Sequence, residues 1–308
     1  MTRRGLWLLL LLAPLAGCGR APPPVAAPHY VLENAWRSPA GVWFYPRQSF
    51  SYDETGLASV IGADHPALTT DGEAYDPQAM SAASQTLQLP AIARVTNLET
   101  GRQVVVRVND RGPASPARLI ALSPTAARLL GIAPGGTAQV RVQVESGPSQ
   151  ALVQALAGPS ARLGITAAPV TAVTAEALAP PPGITAAPGS DALPPSAAPA
   201  GPSFDLALPP LRLPVTATQG PAAPGRLYVR GDTFQTRAYA EAQRRALAGI
   251  GAAGMGAAGM EAMVVPQGAG RGQSYEVLAG PFPDVAAAEA ALQSALGAGV
   301  ADARIVVQ

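Results

Sequence analysis

The apolar positions of this chain fall into two strand-rich blocks separated by a long stretch with neither strand nor helix periodicity. In the first block, Ala91 to Asn97 and Arg102 to Val108 are β-branched runs on either side of Leu98-Glu99-Thr100-Gly101, the residue types of a hairpin turn. Further on, Ala138 to Val144 alternates valine with polar residues. Between them Ser123 is placed to cap a short helix running to Leu130, and Gly131 to stop it. Residues 56–145 are therefore predicted to form one mainly β domain with one or two small helices and a single modest core.

The second block, residues 225–308, repeats itself. Phe234 is followed seven residues later by Glu241-Ala242, and Phe282 seven later by Glu289-Ala290. Each phenylalanine lies between a short strand and an alanine-rich helix. The first unit reads Leu227 to Arg230, a helix from Thr236 to Leu247, and Met260 to Val265. The second reads Tyr275 to Leu278, a helix from Asp284 to Leu296, and Ala303 to Val307. Two such β-α-β units predict an α+β domain of the split βαβ kind: a four-stranded antiparallel sheet with two helices on one face. The other sheet face is then open for a ligand, with Tyr228, Arg230 and Tyr275 as candidate contacts and Phe234 and Phe282 as core anchors.

Between the blocks, residues 146–224 collapse to Ala, Pro, Gly and Ser, which cannot bury enough surface to offset ordering entropy. They are predicted to be a disordered, polyproline-biased linker, transiently helical at Gln150 to Leu156, that leaves the two domains uncoupled. Residues 19–55 form a tether and then an arm dense in aromatics: Trp36, Val42-Trp43-Phe44-Tyr45-Pro46, Phe50 and Tyr52. In a chain that is only 5% aromatic, such density implies either burial across the β domain that follows or a surface for stacking on sugars.

The first 18 residues have the marks of a secretory signal. Arg3 and Arg4 precede the apolar run Leu6 to Leu12, which is too short to span a bilayer, and Leu15-Ala16-Gly17-Cys18 forms a lipobox. Cys18 is the expected lipidation site, and three acyl chains there would anchor the protein stably to a membrane. A net charge of +1 without an Arg/Lys cluster argues against nucleic acid as a partner. With two histidines and one cysteine, the usual imidazole and thiolate metal sites cannot be assembled, so neither a metal nor another cofactor is expected.

The chemistry points to two carboxylates. Val104-Val105-Val106-Arg107-Val108-Asn109-Asp110-Arg111-Gly112-Pro113 runs a strand into a sharp Gly-Pro stop, setting Asp110 at a strand end. Asp71-Gly72-Glu73-Ala74-Tyr75-Asp76 presents a second acid just after a turn. The two could converge on a glycosidic oxygen; equally, an Asp-Arg pair beside Gly-Pro can serve only to brace a loop.

Five segments in order, Gly72-Glu73-Ala74-Tyr75-Asp76, Leu89-Pro90, Arg94-Val95-Thr96-Asn97-Leu98, Gly101-Arg102 and Val106 to Pro113, resemble the rare lipoprotein A family of six-stranded double-psi β-barrel proteins. Val31 to Tyr52 resembles the arm that precedes the barrel in some members. Tyr275-Glu276-Val277-Leu278-Ala279-Gly280-Pro281-Phe282 and its repeat resemble a sporulation-related repeat domain, which implies binding to glycan strands stripped of stem peptides. The resemblance implies an endolytic lytic transglycosylase that cleaves the MurNAc-GlcNAc bond of peptidoglycan to a 1,6-anhydro product. It casts Asp110 as acid/base, Glu73 as second carboxylate, and Arg111 as a fixer of the loop or of a substrate N-acetyl or carboxylate group. Glycine after Cys18 implies the periplasmic leaflet of the outer membrane, and septal cell-division proteins are implied partners.

Three departures stand out. Where the family usually carries a histidine this chain has Ser84, where it carries an aspartate it has Ala121, and the aromatic pair after Ala58-Ser59 is Val60-Ile61. Ser84 can hydrogen-bond a carboxylate or a substrate but cannot act as a base. His65 lies nearby in sequence, but no spacing argument makes it a substitute for that histidine, and it is expected to be a solvent-exposed loop residue. The alternative function is a non-catalytic lipoprotein that tethers the outer membrane to septal peptidoglycan.

Overall fold

A computed structural model describes residues 24–32, 35–39, 41–157, 210–254, 261–268 and 272–308. Cys18 with its lipobox, and residues 158–209 of the expected linker, lie outside the described residues. No helix among the described residues is long and apolar enough to cross a membrane.

The arm forms a small antiparallel pair, β1 (Trp36–Arg37) and β2 (Trp43–Phe44). Six strands follow: β3 (Asp53–Val60), β4 (Ser81–Ser84), β5 (Ala91–Asn97), β6 (Arg102–Arg111), β7 (Ile120–Leu122) and β8 (Ala138–Val144). Pairing runs β4-β7-β3-β8-β5-β6 and returns from β6 to β4, so the ring closes and its strands leave no free edge. Two of its junctions, β3 with β7 and β4 with β6, are parallel, and the others are antiparallel. The period-two pattern of the sequence becomes the inward face: Val104, Val106 and Val108 meet Ala91, Ala93, Val95, Val140 and Val142 in one core.

The short helix α1 (Pro124–Leu130) starts where Ser123 accepts a hydrogen bond from the Ala126 N–H. It ends at Gly131, whose φ of 82° is the left-handed region that glycine tolerates best. Its Ala126, Ala127 and Leu130 enter the barrel core. The barrel itself begins at Asp53, three residues ahead of the expected boundary at 56.

The expected linker is ordered at both ends. Helix α2 (Ser146–Leu156) lies on β5, where the Ser149 hydroxyl accepts from the Ile92 N–H at 2.9 Å and Ala151 and Leu152 are buried. Strand β9 (Thr218–Gln219) pairs with Arg102 and Gln103 at the start of β6, and Arg212 reaches Asp76 at 2.6 Å. Composition summed over the whole segment conceals these short stretches, each of which supplies a partner to a barrel group.

The C-terminal domain consists of β10 (Leu227–Phe234), α3 (Arg237–Gly254), β11 (Ala262–Gln267), β12 (Ser274–Phe282), α4 (Val285–Gly297) and β13 (Arg304–Val307). Its four strands are antiparallel in the order β11-β12-β10-β13. Leu227, Val229, Val277 and Ala279 pack with Ala240, Leu247, Ala288 and Leu292 of the two helices, so the split βαβ arrangement holds.

The two domains are in contact, contrary to the expectation of uncoupled units. The Thr55 hydroxyl donates to the Val307 carbonyl at 2.6 Å, Arg118 pairs with Glu289, and Leu57, Leu98 and Ala117 of the barrel join the C-terminal core. Arg230 bridges Glu54 of β3 at 2.9 Å and Glu276 of β12 at 3.2 Å. The sheet face that carries Arg230 is therefore partly covered by the barrel. The arm also packs on the barrel: Val31 exchanges backbone hydrogen bonds with Leu89, Trp36 donates to the Gln85 carbonyl, and Tyr52 is buried. Trp43 and Tyr45 remain exposed.

Candidate active site

Strand β6 ends in a group of polar residues that the barrel wall partly buries. Asp110, nearly last in the strand, has a side chain only 13% exposed. Its Oδ1 accepts from the Thr70 N–H at 2.8 Å and from the Thr70 hydroxyl at 2.5 Å. The Arg111 N–H donates to that same hydroxyl oxygen, turning its proton toward Asp110. Asp110 Oδ2 lies 2.6 Å from His65 Nε2. Since a carboxylate offers about four lone-pair sites, three are occupied and one, on Oδ2, is left for a substrate.

His65 is thus not a solvent-exposed loop residue. Its side chain is 11% exposed and its ring stacks on Tyr75 with centroids 3.9 Å apart. Burial, followed by the Asp110 and Asp76 carboxylates, pushes the Tyr75 phenol above its ordinary pKa and keeps it protonated. The segment between β3 and β4 brings His65, Thr70 and Tyr75 to the end of β6 by folding back on itself. Leu68 bridges Ala74, the Tyr75 N–H donates to the Ala67 carbonyl, and the Asp71 N–H to the Asn109 carbonyl. Gly72 turns the chain with φ of 80°, and a side chain there would strike the Ala27 carbonyl, which closes on this turn from the arm.

Glu73 lies deeper. Its Oε1 accepts from Arg107 Nε at 2.7 Å and pairs with Nη2 at 2.5 Å, while Oε2 accepts from Asn109 Nδ2 at 2.8 Å. Beside it Asp71 is fully buried; its Oδ1 accepts from the Thr69 hydroxyl and the Glu73 N–H. Asp71 Oδ2 has no hydrogen-bond partner among the described residues. Burial, and then the charge of Glu73, push the Asp71 pKa up to about 7.

Two of the departures, Ser84 and Ala121, flank Ala83, the residue of β4 in register with Asp110. Ala83 of β4 is in register with Asp110 on one side and with Ala121 of β7 on the other, and Ser84 is in register with Arg111. Ser84 is buried, and its hydroxyl oxygen faces its own turn, accepting from the Thr86 and Leu87 N–H groups at 3.4 and 3.3 Å. Arg111 Nη1 donates to the Leu87 carbonyl at 2.5 Å, bracing the same turn.

Of the contacts expected in the C-terminal domain, Arg230 is taken up by Glu54 and Glu276, and Tyr275 packs against the core on the helix side. Tyr228 is half-buried on the Arg230 face. The groove between arm, barrel and C-terminal domain, about 140 Å³ and lined by Trp43, Tyr45, Arg47, Arg118 and Arg304, does not include Asp110. No cluster of ligating side chains suited to a metal occurs among the described residues.

Residues 52–142 match the family model described as lytic transglycolase, a double-psi β-barrel. The barrel of this chain is an RlpA-like double-psi β-barrel. Three proteins named endolytic peptidoglycan transglycosylase RlpA are similar to it. The Pseudomonas aeruginosa protein is 44% identical over 128 residues, 40% of this chain and 37% of that protein. The Vibrio cholerae protein is 47% identical over 94 residues, covering 30% and 36%. The Neisseria meningitidis protein is 43% identical over 106 residues, covering 34% and 44%. The chain thus aligns with less than half the length of each of these relatives.

Sequence reasoning nominated Asp110 and Glu73 but missed His65, Thr70 and the Arg107-Asn109 clamp on Glu73. The signal for His65 was slight: it is one of only two histidines, and it lies just ahead of the Thr69-Thr70-Asp71-Gly72 turn. No spacing rule joins position 65 to position 110; closure of the barrel does.

Proposed function

We propose that this protein is a peptidoglycan lytic transglycosylase that cleaves the MurNAc-GlcNAc bond within denuded glycan strands, with Asp110 as its acid/base. The observation that carries this reading is the Asp110 carboxylate at the end of β6 in an RlpA-like barrel, held at three of its four lone-pair sites with one left open. Asp110 protonates the glycosidic oxygen as that oxygen's bond to the muramyl C1 breaks. It then takes the proton of the C6 hydroxyl as the C6 oxygen bonds to C1, giving the 1,6-anhydro product. The proton given is the proton regained, so a single carboxyl serves both steps without an external base. Glu73, its charge compensated by Arg107 and its second oxygen held by Asn109, braces the stretch of β6 that leads into Asp110.

The relatives' names and the matched family support this activity for the barrel. The lipobox at Cys18 supports lipid anchoring to the outer membrane, and the split βαβ repeat supports glycan binding by residues 225–308. With Arg230 and Tyr275 engaged elsewhere, the glycan surface of that domain centres on other residues. The purified protein, incubated with amidase-treated sacculi, should release anhydro-ended glycan detectable by mass spectrometry, and Asp110→Asn should reduce it to background. Binding to sacculi without any anhydro product would replace this reading with that of a tether.

A further inference from the structure

We propose that His65 is a positioning residue for the reaction: it shares the working proton of Asp110 and does so from a loop distant in sequence, in place of an imidazole at position 84. This inference rests on the reading of Asp110 as acid/base.

The tautomer follows from the neighbours. His65 Nδ1 lies 2.7 Å from the Pro66 carbonyl oxygen, and a carbonyl can only accept, so Nδ1 carries a hydrogen. A neutral ring of that tautomer has only a lone pair at Nε2. The 2.6 Å contact of Nε2 with Asp110 Oδ2 then requires a proton between the two atoms. Either Asp110 is the acid and donates to the ring, or the ring is an imidazolium and donates to the carboxylate. In both states the pair holds one proton at the oxygen that also carries the open lone-pair site. Tyr75 stacked against the ring and the Pro66 carbonyl at its far edge fix the imidazole plane, so the shared proton lies on the ring side of Oδ2 and reaches a glycosidic oxygen at the open site by turning about the Cγ–Oδ2 bond. On Oδ1, Thr70 donates twice and leaves no site there for a second proton position.

His65 does not carry out the group transfer. When Asp110 gives its proton to the glycosidic oxygen, the neutral Nε2 lone pair is left facing the new carboxylate, an opposition that only the return of a proton relieves. When Asp110 regains a proton from the C6 hydroxyl, the shared state is restored. The serine at position 84 is then no deficit, because its hydroxyl oxygen is occupied within its own turn and the Asp110 oxygens are served by Thr70 and His65.

His65→Gln is the decisive variant, because glutamine can still donate an amide hydrogen to Oδ2 but cannot hold a shared proton. On amidase-treated sacculi kcat should fall about 100-fold, the scale of general acid-base catalysis, while KM stays within about threefold and the thermal midpoint changes little. A purely structural histidine would give the opposite pattern, with kcat largely kept. A second readout is independent of activity: the chain has only two histidines, so ¹⁵N-imidazole spectra resolve each ring. The His65 ring should show a protonated Nδ1, and its Nε2 signal should move in Asp110→Asn. Two results would overturn the proposal: a His65→Gln kcat within twofold of the wild type, or His65 ring signals identical in the wild type and Asp110→Asn. Absence of product from the wild type would instead overturn the reading of Asp110, leaving the spectra to test the pair by itself.

Discussion

The Arg107 guanidinium and the Glu73 carboxylate meet inside the barrel wall with side chains only 5% and 8% exposed, and Asn109 takes the second carboxylate oxygen. Both partners are withdrawn from water, so neither tolerates losing the other. Removing one member of a buried pair typically costs about 3–5 kcal/mol, because the remaining charge is left without compensation. Arg107→Ala should therefore lower the unfolding free energy of the barrel by about that amount in urea titrations. Asn109→Ala, which leaves the ion pair intact, should cost about 1–2 kcal/mol.

Asp71 gives the stability of the barrel a pH dependence of unusual sign for a carboxylate. Its pKa rises from 3.8 to about 7 on folding, because of burial first and the charge of Glu73 second. Between these values the folded state keeps a proton that the unfolded state has lost, so stability falls as pH rises from about 4 to about 7 and is level above that window. The slope attributable to this one group is at most about 1.4 kcal/mol per pH unit. Asp71→Asn mimics the protonated acid, so urea unfolding should find the variant close to the wild type at pH 4.5 and more stable than it at pH 8. An unchanged pH profile in Asp71→Asn would show that the group ionises freely when folded.

Much of the fold could be read in the sequence because period and punctuation agreed. The strands at 91–97 and 138–144, the Ser123 and Gly131 caps, and the two β-α-β units all lie where local pattern places them. Helix α2 was less legible: its hydroxyl and apolar contacts to β5 matter only once β5 is in place, and its composition matches that of the linker beyond it. The site divides in the same way. Asp110 announces itself by a strand stopping at Gly-Pro, whereas His65 gains its meaning from a contact across 45 residues of sequence. Arg230 illustrates the limit of alternation, which assigns faces within a sheet but not what the neighbouring domain covers, whereas Tyr275 shares its face with Val277 and Ala279 and so packs toward the helices.

The Arg230 bridge makes the domain contact testable. Its guanidinium joins Glu54 of the barrel to Glu276 of the C-terminal sheet, with side chains 12%, 22% and 8% exposed. Arg230→Ala leaves two carboxylates facing each other across the interface, and a loss of about 3 kcal/mol is expected from the buried member. In calorimetry the wild-type domains should unfold in one coupled transition and the variant in two, with the C-terminal domain first. Two transitions already present in the wild type would show that the contact contributes little.

Ser84→His tests whether the serine is a defect or a settled alternative. Position 84 is buried at the end of β4, between Arg111 of β6 and Ile120 of β7, and its hydroxyl oxygen takes two N–H groups of the following turn. An imidazole there must displace that turn or the wall beside it, and overpacking of a filled site costs roughly 1–3 kcal/mol. It also loses the acceptor that serves Thr86 and Leu87. Even if the new ring reached Asp110, it would find Oδ1 occupied by Thr70 and Oδ2 by His65, with only the site meant for substrate left open. The variant should therefore be less stable than the wild type, with kcat on denuded strands raised by no more than about threefold and KM unchanged or higher. A tenfold gain in kcat with stability preserved would mean that position 84 limits the natural enzyme, and that His65 does not supply what an imidazole at that position would.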